Sequence, residues 1–208
     1  MVNEMRLEEI YVLNTALDGK NIFGLPSFSD IGGSKMMVQN VKEQMIRKGL
    51  LESESSFTMQ GVKAVKYMED YKNARKYVKL GSLVIGVKDD DTAVVLTRTG
   101  MPQEFGFQAM NLKESFAQLC MIYPFLIQKA DKVVSEDKRE IDYEELKETY
   151  GLTIDNAMYL STYTVKDKET TDEIFFSADG AVCLYDRKAG VLAEPSTGIE
   201  EIIRERMA

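Results

Sequence analysis

The chain has 208 residues, 44% apolar and 29% charged, with a formal net charge of −8 and no histidine. That length suits one large domain or two small ones, with enough apolar residues for a real core. The missing imidazole excludes Ser-His-Asp and Cys-His nucleophile sites, histidine-ligated metals and histidine general bases.

The charge is uneven: residues 1–80 carry 12 Lys/Arg against 10 Asp/Glu, and residues 81–208 carry 14 against 24. Nucleic-acid binders concentrate positive charge, because phosphate contact supplies their affinity, so an acidic rear half speaks against that class. No apolar run reaches the roughly 20 residues of a membrane-spanning helix. The opening MVNEMRLEEIYVL places acids where a signal peptide needs bases, so the sequence reads as cytoplasmic.

In RLEEIYVLNTAL, residues 6–17, Leu7, Ile10, Leu13 and Leu17 recur at helical spacing. DGKNIFGLPSFSDIGG then reads as a loop. Ser34 is placed to cap a helix running to Lys48, with Met37, Val41 and Met45 on one face, joined by Val38. Gly49 is a natural stop. Leu50 and Leu51 open a short strand that ESESS turns back, and a helix is expected from Thr58 to about Val78, with Val62, Val65 and Met68 inward. At Gly81 the period changes. SLVIGV and TAVVLT are β-branched runs joined by KDDD, and GMPQEFGFQAM gives a turn and a third strand with Phe105 and Phe107 on one face. Asn111 and Glu114 form a potential capping box for a helix carrying Phe116, Leu119 and Cys120, which Pro124 should kink or restart. After the charged KADKVVSEDKRE and a short helix, DYEELKETYG, comes a second run of strands. It ends in a helix with Thr197 and Glu200 as its capping box and Ile199, Ile202 and Ile203 as its core stripe. VKDDDT against VKDKET, and TRTG against SADG, suggest two β-meander-plus-helix units related by a pseudo-twofold.

No cofactor, metal or catalytic site follows from these motifs. KDDDT lacks the spaced acids and distal glutamate of a calcium loop, and IGG at 31–33 lacks the rest of a phosphate loop. SEDKREIDYEE holds carboxylates without fixed geometry. Cys120 and Cys183 stand far apart with no CxxC, so both are expected as free thiols. The helix, glycine and polar hairpin of residues 34–57 have a winged-helix look, with Lys35, Gln39, Lys42 and Arg47 able to face phosphates. Glu52 and Glu54 in the wing would repel them. The 12 methionines suit core positions or an adaptable partner groove. TGMPQEFGF is the candidate exposed apolar edge, making Met101, Phe105 and Phe107 the expected partner contacts.

Taken in order, LEEIYVLNTAL with Leu25 and Pro26 behind it, VKEQMIRKGLL with its hairpin and helix, and DDTAVVLTRTG with the strand and helix that follow resemble the EspG-type type VII secretion chaperones. They equally resemble the DUF5081 proteins that look like the counterparts of those chaperones. The resemblance runs from about Leu7 to the end. It implies a single α+β domain over 1–208: a helical, winged-helix-like part (1–80), a first β/α unit (81–140) and a second (141–208). It also implies a non-catalytic cytoplasmic adaptor, peripheral to the membrane through the secretion machinery. Its partners would be a helical WXG100/LXG-like substrate and the secretion ATPase complex, with no nucleic acid and no integral membrane segment. The alternatives are a winged-helix regulator with an acidic ligand or dimerisation domain, and a histidine-free enzyme.

Overall fold

The apolar stripe of the first helix and the alternating strands behind it assemble around one sheet. The structure, a computed structural model, describes residues 4–27, 35–81, 83–98, 104–127, 138–153, 156–166, 168–178, 180–193 and 199–207. The N-terminal part runs β1 (Met5–Arg6), α1 (Leu7–Asn14), α2 (Lys35–Arg47), the hairpin β2 (Leu51–Ser53) and β3 (Ser56–Phe57), and α3 (Met59–Lys72). Then come β4 (Lys76–Leu80), β5 (Leu83–Val87), β6 (Thr92–Arg98), β7 (Glu104–Asn111) and α4 (Leu112–Ile122), with a 3₁₀ turn at Pro124–Ile127. The rest is β8 (Arg139–Glu140), α5 (Tyr143–Tyr150), β9 (Ala157–Thr164), β10 (Glu169–Ala178), β11 (Ala181–Asp186), β12 (Val191–Ala193) and α6 (Ile199–Met207). The protein is thus α+β, with six α-helices among the described residues, and none is long and apolar enough to cross a membrane.

Ten strands form one antiparallel sheet in the order β1-β7-β6-β5-β4-β9-β10-β11-β12-β8, while β2 and β3 pair apart from it. β4 and β9 lie at the centre, in register from Lys76↔Thr164 to Leu80↔Leu160. Strands run outward from them in chain order on both sides, and each outer edge is finished by a two-residue strand.

One face carries Tyr77, Val84, Leu96, Phe105 and Phe107, packed with Ile10 and Leu13 of α1, Met45 of α2 and Met68 and Tyr71 of α3. On the same face further along, Ile174, Phe176 and Tyr185 pack with Leu146 of α5. The opposite face is a continuous core across the central pair. Val78, Leu80, Met158, Leu160 and Phe175 lie there with Leu119 of α4, Phe125 of the 3₁₀ turn and Ile203 of α6. Neither Cys120 nor Cys183 is in a disulfide, and they lie on opposite sides of this sheet.

The expected helix from Thr58 to about Val78 is too long. Thr58 does cap α3, its hydroxyl accepting from the Gly61 amide at 3.1 Å, but the helix ends at Lys72 and residues 76–80 are a strand. Tyr77 and Val78 are buried on opposite faces of a central strand. Burial on both faces erases the period-2 signal, and Lys76 and Lys79 give the run a helix-like polar face. Of the expected inward stripe of α3, Met68 is buried and Val65 is half-buried against the core, whereas Val62 is 52% exposed; Gly61, Ala64 and Tyr71 complete the buried face. Ser34 and Thr197 lie outside the described residues, as does the side chain of Glu114.

Gly61, not Val62, takes the tight inward position at the start of α3. A Cβ there would sit 2.0 Å from the carbonyl oxygen of Leu50, an oxygen that also accepts from the Thr58 amide at 3.2 Å. Backbone cannot yield as a side-chain tip can, so Gly61→Ala is expected to cost at least the 1–3 kcal/mol typical of overpacking. The midpoint of urea unfolding measures it, and an unchanged midpoint would contradict this packing.

Candidate functional site

Of the three residues expected from sequence to meet a partner, Met101 lies outside the described residues. Phe105 and Phe107 are 2% and 0% exposed. Both point from β7 into the core under the N-terminal helices. Phe107 meets Tyr71 edge-on at 5.4 Å between centroids, and the Arg98 guanidinium lies 5.7 Å over the Phe105 ring. Phe107 is fully enclosed, while Phe105, though buried, lines a small cavity beside Arg98. Alternation places the two phenylalanines on one face but does not say which segment covers it.

The structure brings other residues together. The N-terminal helices cover the β5–β7 side of that face and α5 covers the β10–β12 side, and between them β9 and the Lys79 end of β4 stay open, Tyr77 being covered by Phe23 and Tyr71. The resulting groove, about 680 Å³, has Lys79 of β4, Tyr159, Ser161 and Tyr163 of β9 and Asp172 of β10 on its floor. Tyr143 and Lys147 of α5, Arg187 and Tyr123 form its rim. A smaller cavity of about 260 Å³ adjoins it through Lys79 and Gly81 and is lined also by Gly24, Arg98 and Phe105.

Side-chain contacts tie the floor together. Arg187 pairs with Asp172 at 3.0 Å and lies 4.9 Å over the Tyr143 ring. Ser161 donates to Asp172 at 3.1 Å, and the Tyr143 and Tyr159 hydroxyls are 3.3 Å apart. Burial, then the hydrogen bond and charge of Tyr143, push the Tyr159 hydroxyl up to about 12, so it is a neutral hydrogen-bonding group at physiological pH. Phe23 stacks on Tyr77 at 4.4 Å and leans on Tyr163 at 5.1 Å. Aromatic rings with polar tips form a surface that is apolar in body and able to hydrogen-bond at its edge. In YLSTY, residues 159–163, tyrosines and a serine alternate on one strand face, a pattern that gives the floor its chemistry but not its exposure.

The other motifs resolve into local structure. Asp89 accepts from the Asp91 and Thr92 amides at 3.0 and 2.8 Å, closing the β5–β6 turn, and Asp90 pairs with Arg75 at 2.8 Å. These hydrogen bonds, that from the Thr92 hydroxyl foremost, hold the Asp89 carboxyl below its ordinary value. Asp142 caps α5 through the Glu144 amide at 2.8 Å. In the winged-helix-like segment, Glu54 folds back onto α2: its carboxylate accepts from Gln39 at 2.6 Å and its carbonyl from Lys42 at 3.0 Å. Two of the four side chains expected to reach phosphates are thereby engaged within the protein. Residues 31–33 and 131–137 lie outside the described residues. Among the described residues no group of three or more Cys, Asp or Glu is arranged to hold a metal ion.

A large antiparallel sheet, helices on both faces and an open tyrosine-floored groove define an α+β protein whose most distinctive surface is concave and aromatic. The chain belongs to the family described as a domain of unknown function, DUF5081, whose model matches residues 2–189. No curated protein matches the chain.

Proposed function

We propose that the protein is a non-catalytic cytoplasmic adaptor or chaperone, holding a helical type VII secretion substrate of the WXG100/LXG kind until it reaches the secretion ATPase at the inner face of the membrane. The observation that carries this reading is the open groove over the central strand pair. It has a volume of about 680 Å³ and a floor of strand residues whose tyrosine rings lose little entropy on binding. EspG-like architecture is part of the proposal. With β4 and β9 antiparallel at the centre, a pseudo-twofold through that pair would relate β4–β7 with α4 to β9–β12 with α6, and β1–α1 to β8–α5. The α2–hairpin–α3 segment would then be an insertion in the first half. Secreted helical hairpins keep an apolar stripe in the cytosol, and shielding it prevents aggregation.

Co-expression with helical secretion candidates encoded nearby tests the reading. A stable complex is expected, without nucleotide or metal. Tyr159→Ala and Tyr163→Ala should each weaken it at least tenfold, about 1.4 kcal/mol, with circular dichroism showing that both variants fold. Absence of any such complex in cells that make the candidates would end the adaptor reading. Folded tyrosine variants with unchanged affinity would remove the groove as its site.

A further inference from the structure

The groove's charge specifies its occupant more closely than its shape does. Two acids line it, and both are engaged: Asp172 by Arg187 at 3.0 Å, and Glu169 by Lys188 at 3.7 Å. Two lysines line it as well, Lys79 on the floor and Lys147 on the rim. Both are exposed, and neither has a carboxylate partner among the described residues. Arg98 adds a further cation in the adjoining cavity. This excess of positive charge sits in a chain of net charge −8, whose acids concentrate in residues 81–208. An acidic partner is repelled by most of this surface and attracted at the groove. A basic partner meets the opposite pattern.

Resting on the adaptor reading, we infer that the helix seated in the groove is acidic on its flank, presenting carboxylates to Lys79 and Lys147 while its apolar stripe lies on Tyr159 and Tyr163. The tyrosine hydroxyls extend the match, since both are able to donate to a carboxylate oxygen. A lysine ammonium tolerates many carboxylate positions where an arginine fork would demand one, which suits an adaptor for more than one substrate. Charges at an open groove act mainly on encounter and partner choice and are screened by salt.

Two amphipathic helical probe peptides with identical apolar positions, one bearing glutamates along its flank and the other lysines, test this by fluorescence anisotropy on the full chain. The glutamate peptide is expected to bind at least ~10-fold more tightly at low salt, with the gap closing as salt rises. Lys79→Gln/Lys147→Gln should abolish the preference, and Lys79→Glu/Lys147→Glu should reverse it. Equal binding of the two peptides overturns the acidic-partner inference and leaves the adaptor reading standing. A preference that survives Lys79→Glu/Lys147→Glu overturns it too, by placing the carboxylate site elsewhere. Binding of neither peptide overturns it as well, and the adaptor reading falls with it if co-expression also yields no complex.

Discussion

Phe107→Ala should destabilise the protein by about 3–5 kcal/mol, the range for deleting a fully buried aromatic ring. The side chain is 0% exposed and touches Tyr71, which is itself fully buried and donates its hydroxyl to the Phe23 carbonyl at 3.0 Å. The cavity left behind would open beneath α3, where helix and sheet cannot close it without moving that hydrogen bond. Against a total stability of ~5–15 kcal/mol, this is a large fraction. In a protein of this size it corresponds to roughly 6–20 °C in the melting midpoint. Phe107→Leu should cost clearly less. A shift of only a degree or two for Phe107→Ala would mean that the ring is not in the core. Any loss of partner binding by this variant therefore reads as unfolding, and the binding test belongs with the tyrosines.

The second large effect is expected at the C-terminal helix. Arg206 of α6 grips Glu173 of β10 with two nitrogens at 2.8–3.1 Å, and its carbonyl accepts from Lys76 of β4 at 2.8 Å. The Glu173 side chain is 6% exposed and that of Arg206 32%. Arg206→Ala leaves a buried carboxylate without its counter-ion, which costs about 3 kcal/mol, the lower end of the range for breaking a buried pair because Arg206 is partly solvated. Replacing both, as Glu173→Leu/Arg206→Leu, should recover most of that loss, since two apolar side chains need no mutual charge compensation. Denaturant unfolding of the single and double variants measures the coupling. Additive effects would show that the pair is not linked.

Where local chemistry decided the outcome, the sequence was readable. Gly49 takes a positive φ of 73° at the end of α2, Pro124 starts a separate 3₁₀ turn, and Ile202 and Ile203 of α6 are buried. Tertiary context decided the rest. β4 looked like the tail of a helix because a strand buried on both faces loses its alternation. That omission also shifted the apparent repeat. VKDDDT joins the second and third strands out from the centre, β5 and β6, whereas VKDKET joins the first and second, β9 and β10. The groove was illegible for a related reason. Its floor is defined by what the helices leave uncovered, and no local pattern in YLSTY reports where α3 and α5 stop.

The position of the β4–β9 pair has a consequence for how the chain acquires its fold. Its hydrogen bonds join residues 76–80 to residues 160–164. The neighbouring pairs, by contrast, are hairpins such as β5–β6 and β10–β11. Loop-closure entropy delays contacts of high sequence separation. Each meander can thus form locally, while the central seam, and with it the groove floor, is completed only when most of the chain is available. A nascent or half-folded chain would lack the floor of the groove, so under the adaptor proposal binding there would require the central seam to have closed.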